Sequence, residues 1–345
     1  MKQKLSILSL ILLAGLVSHD LTAQFKMFKK SEKSPKVHRT DQFEPHSSVS
    51  FGVGTSSYYG ELSPYVRPIQ STFNMIRWNL AFNYTRYFTP NWSGRIGLTY
   101  ARIAGDDNTL EGVKGFEANF IRNLHFRNDI KELSLLAQYD FKSGGRSYER
   151  REKVVPYLFG GIAVFAHNPM AKPESSLYGT DWVTLQDKHT EGQGLPGYTD
   201  KPYSLIGVSF PIGFGVRVKI NKDFDFGAEV GFRYSMTDYL DDVGGKYAAT
   251  EDLTAQSPLA ASLGDRSQEQ IAAYSGKDRT QSYVNFLNAN GIPISDPNAP
   301  VVSTNTGIGL KGNPRGSSSV KDSYMLTNFS IIYHLPVKIK CPPLR

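Results

Sequence analysis

Residues 226–242, FGAEVGFRYSMTDYLDD, keep a strict two-residue alternation. An extended chain sends successive side chains to opposite faces. Phe226, Ala228, Val230, Phe232, Tyr234 and Met236 therefore share one face, and Gly227, Glu229, Gly231, Arg233 and Ser235 share the other. In a water-soluble sheet the apolar face covers a core and the polar face meets bulk water. Here the polar face mixes glycines with Glu229 and Arg233, a composition suited to a narrow interior. The continuous apolar face then needs a different medium, and hydrocarbon is one that accepts it.

The same beat marks eight segments: 48–60, 78–88, 92–102, 131–141, 155–167, 205–220, 224–237 and 324–335. Alternation bounded by turn residues is the strand signal. Most of these segments run to about ten residues or more, the length of a tilted membrane-crossing strand. The links alternate as well. Thr89-Pro-Asn91 and Asn221-Lys-Asp223 are tight turns and 142–154 is a moderate polar link, whereas 61–76, 103–130, 168–204 and 238–322 are long. Short turns at one end and long loops at the other are the pattern of an outer-membrane barrel. Hydrocarbon leaves no water to satisfy an open sheet edge, so the strands must close on themselves. The expected fold is all-β: an eight-stranded antiparallel transmembrane β-barrel with long extracellular loops. A lipocalin-like soluble barrel is the competitor, and it would turn the apolar face inward.

A hydrophobic content of 40% does not oppose this reading, because only every second strand position needs to be apolar. Residues 1–23 read as a secretory signal peptide: Met-Lys-Gln-Lys, an apolar run over 5–17, and Leu21-Thr-Ala23 as the cleavage site. A basic tail, 24–47, follows and carries Lys26, Lys29, Lys30, Lys33, Lys36 and Arg39. The barrel is expected over 48–335, with the long loop 238–322, and a C-terminal tail over 336–345. An even strand number places both tails in the periplasm, where the basic run is available to dock a periplasmic partner. The single cysteine, Cys341, offers no disulfide framework.

Aromatics gather near strand ends, Tyr87, Phe88, Trp92, Phe224 and Phe226 at one end and Tyr234 and Tyr239 at the other, as interfacial girdles do. Arg86 shares the apolar parity and sits beside a turn, where it can snorkel to headgroups. On the opposite parity, Arg217, Asp225, Glu229 and Arg233 form a charged constellation. It reads either as an ion path or as a lumen-filling salt-bridge network. An eight-stranded interior is only wide enough for side chains, which favours filling. The acidic stretches at 105–108 and 237–245 read as calcium holders or as turn and capping residues; their spacing matches no calcium loop, which favours capping. Residues 247–319 are expected to form a mobile, mostly polar loop with a short helix near 267–274. Val230→Arg is expected to be costly if Val230 faces lipid near mid-plane, and Gly231→Ala to be milder than that.

No HExxH, GxSxG, P-loop or paired-cysteine motif is present, and His38, His46, His125, His167, His189 and His334 lack ligand spacing. No catalytic residue, metal or cofactor is expected, and the +7 charge forms no aromatic-laced ladder for nucleic acid.

The motifs YYGELSP at 58–64, NYTRYF at 83–88, GDDN at 105–108 and GFRYSMTDYLDD at 231–242 resemble those of PorG-type outer-membrane barrels. The resemblance covers roughly 49–335 and departs in the insert 238–322. It implies location in the outer membrane, with lipid as a partner. It also implies a non-enzymatic accessory role in a type IX secretion machine, with contact to a periplasmic ring of a lipoprotein and its partner. The alternative is a structural or adhesive barrel whose surface loops bind.

Overall fold

The computed structural model of the protein describes residues 43–142, 148–304, 306–317 and 321–336. The expected signal peptide, the basic run Lys26, Lys29, Lys30, Lys33, Lys36 and Arg39, and Cys341 lie outside them. Ten strands follow in chain order: β1 (His46–Tyr59), β2 (Arg77–Tyr87), β3 (Trp92–Asp106), β4 (His125–Asp140), β5 (Val154–Ala166), β6 (Pro169–Ala171), β7 (Val183–Thr184), β8 (Ile206–Lys219), β9 (Phe224–Ser235) and β10 (Ser323–Leu335). The two short strands, β6 and β7, extend the sheet at the long-loop end. The other eight form one closed antiparallel ladder, β1-β2-β3-β4-β5-β8-β9-β10. Closure is made by β1 against β10, with Val49 opposite Tyr333 and Phe51 opposite Ile331. Every strand therefore has two neighbours, and the hydrocarbon meets no open edge.

The apolar parity faces outward. Ile212 is 66% exposed and Leu135 60%, whereas Gln138 and Asp140 are each 1% exposed. This excludes the soluble-barrel competitor, whose apolar parity would be buried. Outward aromatics form two belts. Trp92 meets Tyr139 edge-on at 5.0 Å and Phe224 meets Tyr333 at 5.1 Å near the short turns. Trp78 stacks on Tyr100 at 5.5 Å near the long loops. Trp78, near the start of β2, and Phe88, the residue just after its end, are ten positions apart. That is about 33 Å of extended chain, and at a ~40° tilt roughly 25 Å of height, the thickness of an apolar band. The fold is a transmembrane barrel. Tyr87 and Tyr239 do not join the belts. Tyr87 neighbours Phe88 in sequence, so its side chain turns inward, and it is buried. Tyr239 stacks on Tyr203 at 4.6 Å within the loops. Arg86 does lie on the outer face, where it donates to Ser47 Oγ at 3.1 Å beside the turn.

Two expected boundaries move. The first strand opens at His46, inside the segment expected to be tail. The loop expected over 103–130 is shorter at both ends, because β3 runs to Asp106 and β4 starts at His125. The reason is a change of medium. Above Tyr100 the polarity inverts: Arg102 and Asp129 pair on the outer face at 2.6 Å, while Ile103, Phe126 and Ile130 turn inward and are fully buried.

The long β9–β10 connection is folded. Its helices are Thr250–Gln256, Pro258–Gly264, Thr280–Ala289 and Pro300–Ser303. Proline opens two of them, where its missing N–H costs nothing. Tyr283 and Leu287, four apart on one helix face, pack on Phe120, Ile121 and Val301. The helix expected near 267–274 is absent. There, the Ala272 N–H bonds the Lys277 carbonyl at 2.7 Å, and Arg279 donates to the Ile121 carbonyl at 2.8 Å, pinning the segment to the helix Glu117–Arg122.

Val230 faces lipid at mid-strand, opposite Phe214 on β8 and Thr327 on β10. Val230→Arg is expected to cost about 2–4 kcal/mol in urea unfolding from lipid vesicles. Gly231 lies inward, and a Cβ there would meet Arg233 Nη1 at 2.5 Å and Phe159 Cζ at 2.8 Å. Gly231→Ala is therefore expected to cost about 1–3 kcal/mol by overpacking, less than Val230→Arg, and the same assay checks it.

Candidate functional site: a sealed lumen and a carboxylate-lined mouth

Inward residues from several strands fill the barrel with alternating charge. At the short-turn end Arg151 leaves the β4–β5 link and reaches Asp225 at 2.5 Å, while donating to the Lys222 carbonyl at 2.6 Å. His334 Nε2 lies 2.8 Å from Asp225 Oδ2. Arg217 contacts Asp225 at 3.4 Å, but its shorter bond is to Asp140 at 2.6 Å, and it also donates to Tyr87 Oη at 2.9 Å. Gln138 donates to Asp140 at 2.7 Å and accepts from Arg95. Arg95 donates to Glu229 at 2.7 and 3.0 Å, and Tyr157 donates to the same carboxylate at 2.5 Å. One chain of contacts thus runs Arg151–Asp225–Arg217–Asp140–Gln138–Arg95–Glu229. Higher up, Arg233 lies 3.7 Å from Glu132, which accepts from Tyr324 at 2.6 Å.

All four charged residues singled out from the sequence line this interior. Their closest partners come from outside the set of four: Glu229 pairs with Arg95 rather than with Arg217 or Arg233, and Arg233 with Glu132. Sequence reasoning missed Arg95, Arg151, Glu132 and Asp140. For Arg95, Glu132 and Asp140 the signal was present, since each sits on the inward parity of its strand. Arg151 had none, because it comes from a link. The void among Asn83, Arg95, Ser134, Glu229 and Arg233 measures about 20 Å³. That is room for roughly one water. Above it, Leu62, Ile103, Phe126, Ile130, Phe165, Leu240 and Val243 form a continuous apolar plug across the mouth.

The long loops lock over this plug through two buried arginines. Arg122 pairs with Asp107 at 2.7 Å and donates to the Arg315 carbonyl at 2.6 Å. Arg315 pairs with Glu191 at 3.2 Å and donates to the Asp242 carbonyl at 2.6 Å. Beside them lies an acidic pocket. Tyr58 Oη sits 2.7 Å from Asp241 and 2.6 Å from Asp322. One hydroxyl proton cannot serve both, so one of these short contacts carries a carboxyl proton. Asp241 also accepts a backbone N–H bond from Val243, the capping role expected of the acidic stretch 237–245, and Asp322 accepts one from Leu240. Asp238 departs from that role. Both its oxygens are buried without a hydrogen-bond donor, and its nearest cation is Lys321 at 3.7 Å. Glu61 accepts from Ser317 N–H at 3.1 Å through one oxygen and buries the other unbonded. Desolvation pushes the Glu61 carboxyl up to about 7, with the Asp238 charge adding to it; desolvation likewise lifts Asp238 to about 6.

The closed eight-stranded ladder with an apolar outer face and a filled lumen defines the class as a small transmembrane β-barrel. A family described as "Domain of unknown function (DUF6089)" matches residues 41–181. That is less than half of the chain, and the description carries no link to PorG or to secretion. No curated protein matches the sequence. Among solved structures the chain is similar to Neisserial surface protein A, at 8% identity over 84% of this chain and 98% of that one, with a TM-score of 0.35. It is similar to Ail, the attachment invasion locus protein of Yersinia pestis, at 11% identity over 85% and 100%, with a TM-score of 0.34. It is also similar to the outer membrane protein OprG of Pseudomonas aeruginosa, at 9% identity over 86% and 99%, with a TM-score of 0.34. The assignment of the fold rests on the strand pairing itself.

Removing Arg217 leaves Asp140 buried in the lumen without its cation, with Gln138 as its remaining side-chain donor, while Asp225 keeps Arg151 and His334. Arg217→Met is expected to destabilise the barrel by about 3–5 kcal/mol, read by urea unfolding in vesicles. The mouth responds to pH with the opposite sense to a salt bridge. An unfolded carboxyl titrates near ~4, while Glu61 and Asp238 sit at about 7 and about 6 when folded. Their contribution to loop stability is complete below ~4 and is lost as the pH rises through 6 to 7. Limited proteolysis in chelator should cut the long loops faster at pH 8 than at pH 5, after correction with an unstructured reporter peptide.

Proposed function

We propose that the chain is a non-conducting, non-enzymatic outer-membrane barrel that serves as an anchor rather than as a pore. The observation that carries this reading is the lumen, filled by four arginines and four carboxylates and stoppered by the apolar plug. A path for ions or solutes needs a continuous wet channel, and a void with room for about one water is not one. The exported, outer-membrane location is supported by the apolar run at 5–17 together with the closed barrel.

Within that class, the reading is an accessory or anchoring component of a type IX-like secretion machine. Its support is the resemblance of the motifs at 58–64, 83–88, 105–108 and 231–242 to PorG-type barrels. The basic run Lys26, Lys29, Lys30, Lys33, Lys36 and Arg39 is the segment proposed to dock a periplasmic ring protein or lipoprotein. Charge steering of this kind weakens steeply with salt. A surface-binding role is the second reading. It is favoured by the folded cap and by its cleft of about 420 Å³ between Asn119, Tyr247 and Ser317.

Purified protein in a planar bilayer is expected to give no stable conductance; a steady open channel overturns the anchor reading. Deletion in the native host separates the two roles. Retention of exported cargo in the periplasm, with crosslinks from residues 24–39 to secretion components, supports the secretion role. Normal export with altered surface contact supports the second reading instead.

A further inference from the structure

The structure assigns a Ca²⁺ site to Glu61, Asp238 and Asp322 at the long-loop mouth of the barrel, a role independent of what the barrel anchors. One carboxylate oxygen from each residue lies within 4.8 Å of the others. Calcium takes oxygen ligands at about 2.3–2.6 Å, so ligands across the ion stand up to ~5 Å apart. Magnesium, at about 2.0–2.1 Å and near-ideal octahedral, needs a tighter cage.

Proximity of acids alone is no site, and three further observations point to a ligand. First, Asp238 is 4% exposed, and neither of its oxygens has a hydrogen-bond donor. A buried carboxylate in that condition is costly unless something positive meets it. The charged groups around it are Glu61, Asp322 and Glu191, all acidic, and Lys321, whose ammonium stands off at 3.7 Å. Second, Glu61 also presents a buried, unbonded oxygen. Its other oxygen is held by the Ser317 N–H, which fixes the carboxylate plane. Third, one member of the cluster meets open space: Glu61 lines the cleft of about 420 Å³ that opens beside Asn119 and Ser317.

The ligands come from different parts of the chain. Glu61 begins the β1–β2 loop, Asp238 follows β9, and Asp322 precedes β10. A bound ion therefore ties the two ends of the long connection to the first loop. It does so directly above Tyr58, whose hydroxyl already joins Asp322 to Asp241. The sequence hid this arrangement because the three acids belong to three separated segments, with no loop-like spacing.

The test uses the full-length protein in detergent and equilibrium dialysis with radiolabelled Ca²⁺. Wild type is expected to bind one ion per chain, saturably, with a dissociation constant of about 10⁻⁴–10⁻³ M, the range of extracellular modules. Asp238→Asn and Glu61→Gln should each weaken binding tenfold or more, with barrel folding verified by circular dichroism. Asp252→Asn, an acid elsewhere on the same long loop, should leave it unchanged. In parallel, Ca²⁺ should slow proteolysis of the wild-type loops at pH 8. Absence of saturable binding by wild type overturns the assignment. So does equal loss in all three variants, which marks diffuse electrostatics, and so does loop protection by acid alone with no response to Ca²⁺, which marks a site held by protons.

Discussion

The hydrocarbon will not solvate a peptide group, and the rest of this structure follows from that. Each of the eight long strands must find two partners, so the ladder closes at β1 against β10. Closure with only eight strands leaves an interior just wide enough for side chains. Every inward residue then becomes a packing decision as well as an electrostatic one. A glycine appears where the neighbouring strand comes close: a Cβ at Gly54 on β1 would collide with the Thr327 carbonyl oxygen of the adjacent β10. Arginines appear where a long side chain must cross the lumen to a carboxylate, as Arg95 does from β3 to Glu229 on β9. The interior charges balance, four guanidinium groups against four carboxylates, and most are tied to a second polar partner. That is the condition under which buried ions are tolerable.

A single strand can serve two media without changing its geometry. On β3 the outward parity carries Ile96, Leu98 and Tyr100, then Arg102; the inward parity carries Arg95, then Ala101 and Ile103. The inversion falls at the aromatic belt. Below it, lipid faces outward and ions sit inside. Above it, water faces outward, and the inside becomes an ordinary hydrophobic core that takes Leu62, Leu240 and Val243 from the loops. The cap is thus continuous with the barrel, built on the same hydrogen-bonded ladders.

Fold class was legible because it depends on period and parity, which are local. The apolar faces 78–88, 131–141 and 205–220 read from the sequence are outward-facing in the structure, residue by residue. Strand ends were misread on β3 and β4, because alternation was followed by its apolar face, and that face changes side above Tyr100. Partner choice within the lumen was not legible, since it joins non-adjacent strands: Arg217 bridges to Asp140 on β4 rather than only to its hairpin neighbour Asp225. The cap was not legible either. Its helices are short, and the contact between Tyr283 and Phe120 that organises one of them joins residues from two different loops. Polar composition over 247–319 also hid the buried residues, Arg279, Arg315 and Tyr283 among them, that the described part of this loop carries.

The contrast between lumen and mouth locates where this barrel can respond to its surroundings. In the lumen every carboxylate faces an arginine, which stays protonated throughout the physiological range. Those pairs have one state, and they rigidify the cylinder. At the mouth the balance fails: Glu61, Asp238, Asp241 and Asp322 crowd around one tyrosine, with only Lys321 near Asp238. Arg122 and Arg315, a short way off, are committed to Asp107 and Glu191. Charge missing from the side chains must be supplied by protons or by a cation from outside. The barrel gains rigidity from its lumen, while its carboxylate-lined mouth depends on the composition of the medium it faces. The acids at the strand exits are where that dependence enters, because the loop ends they join determine whether the cap stays closed over the plug.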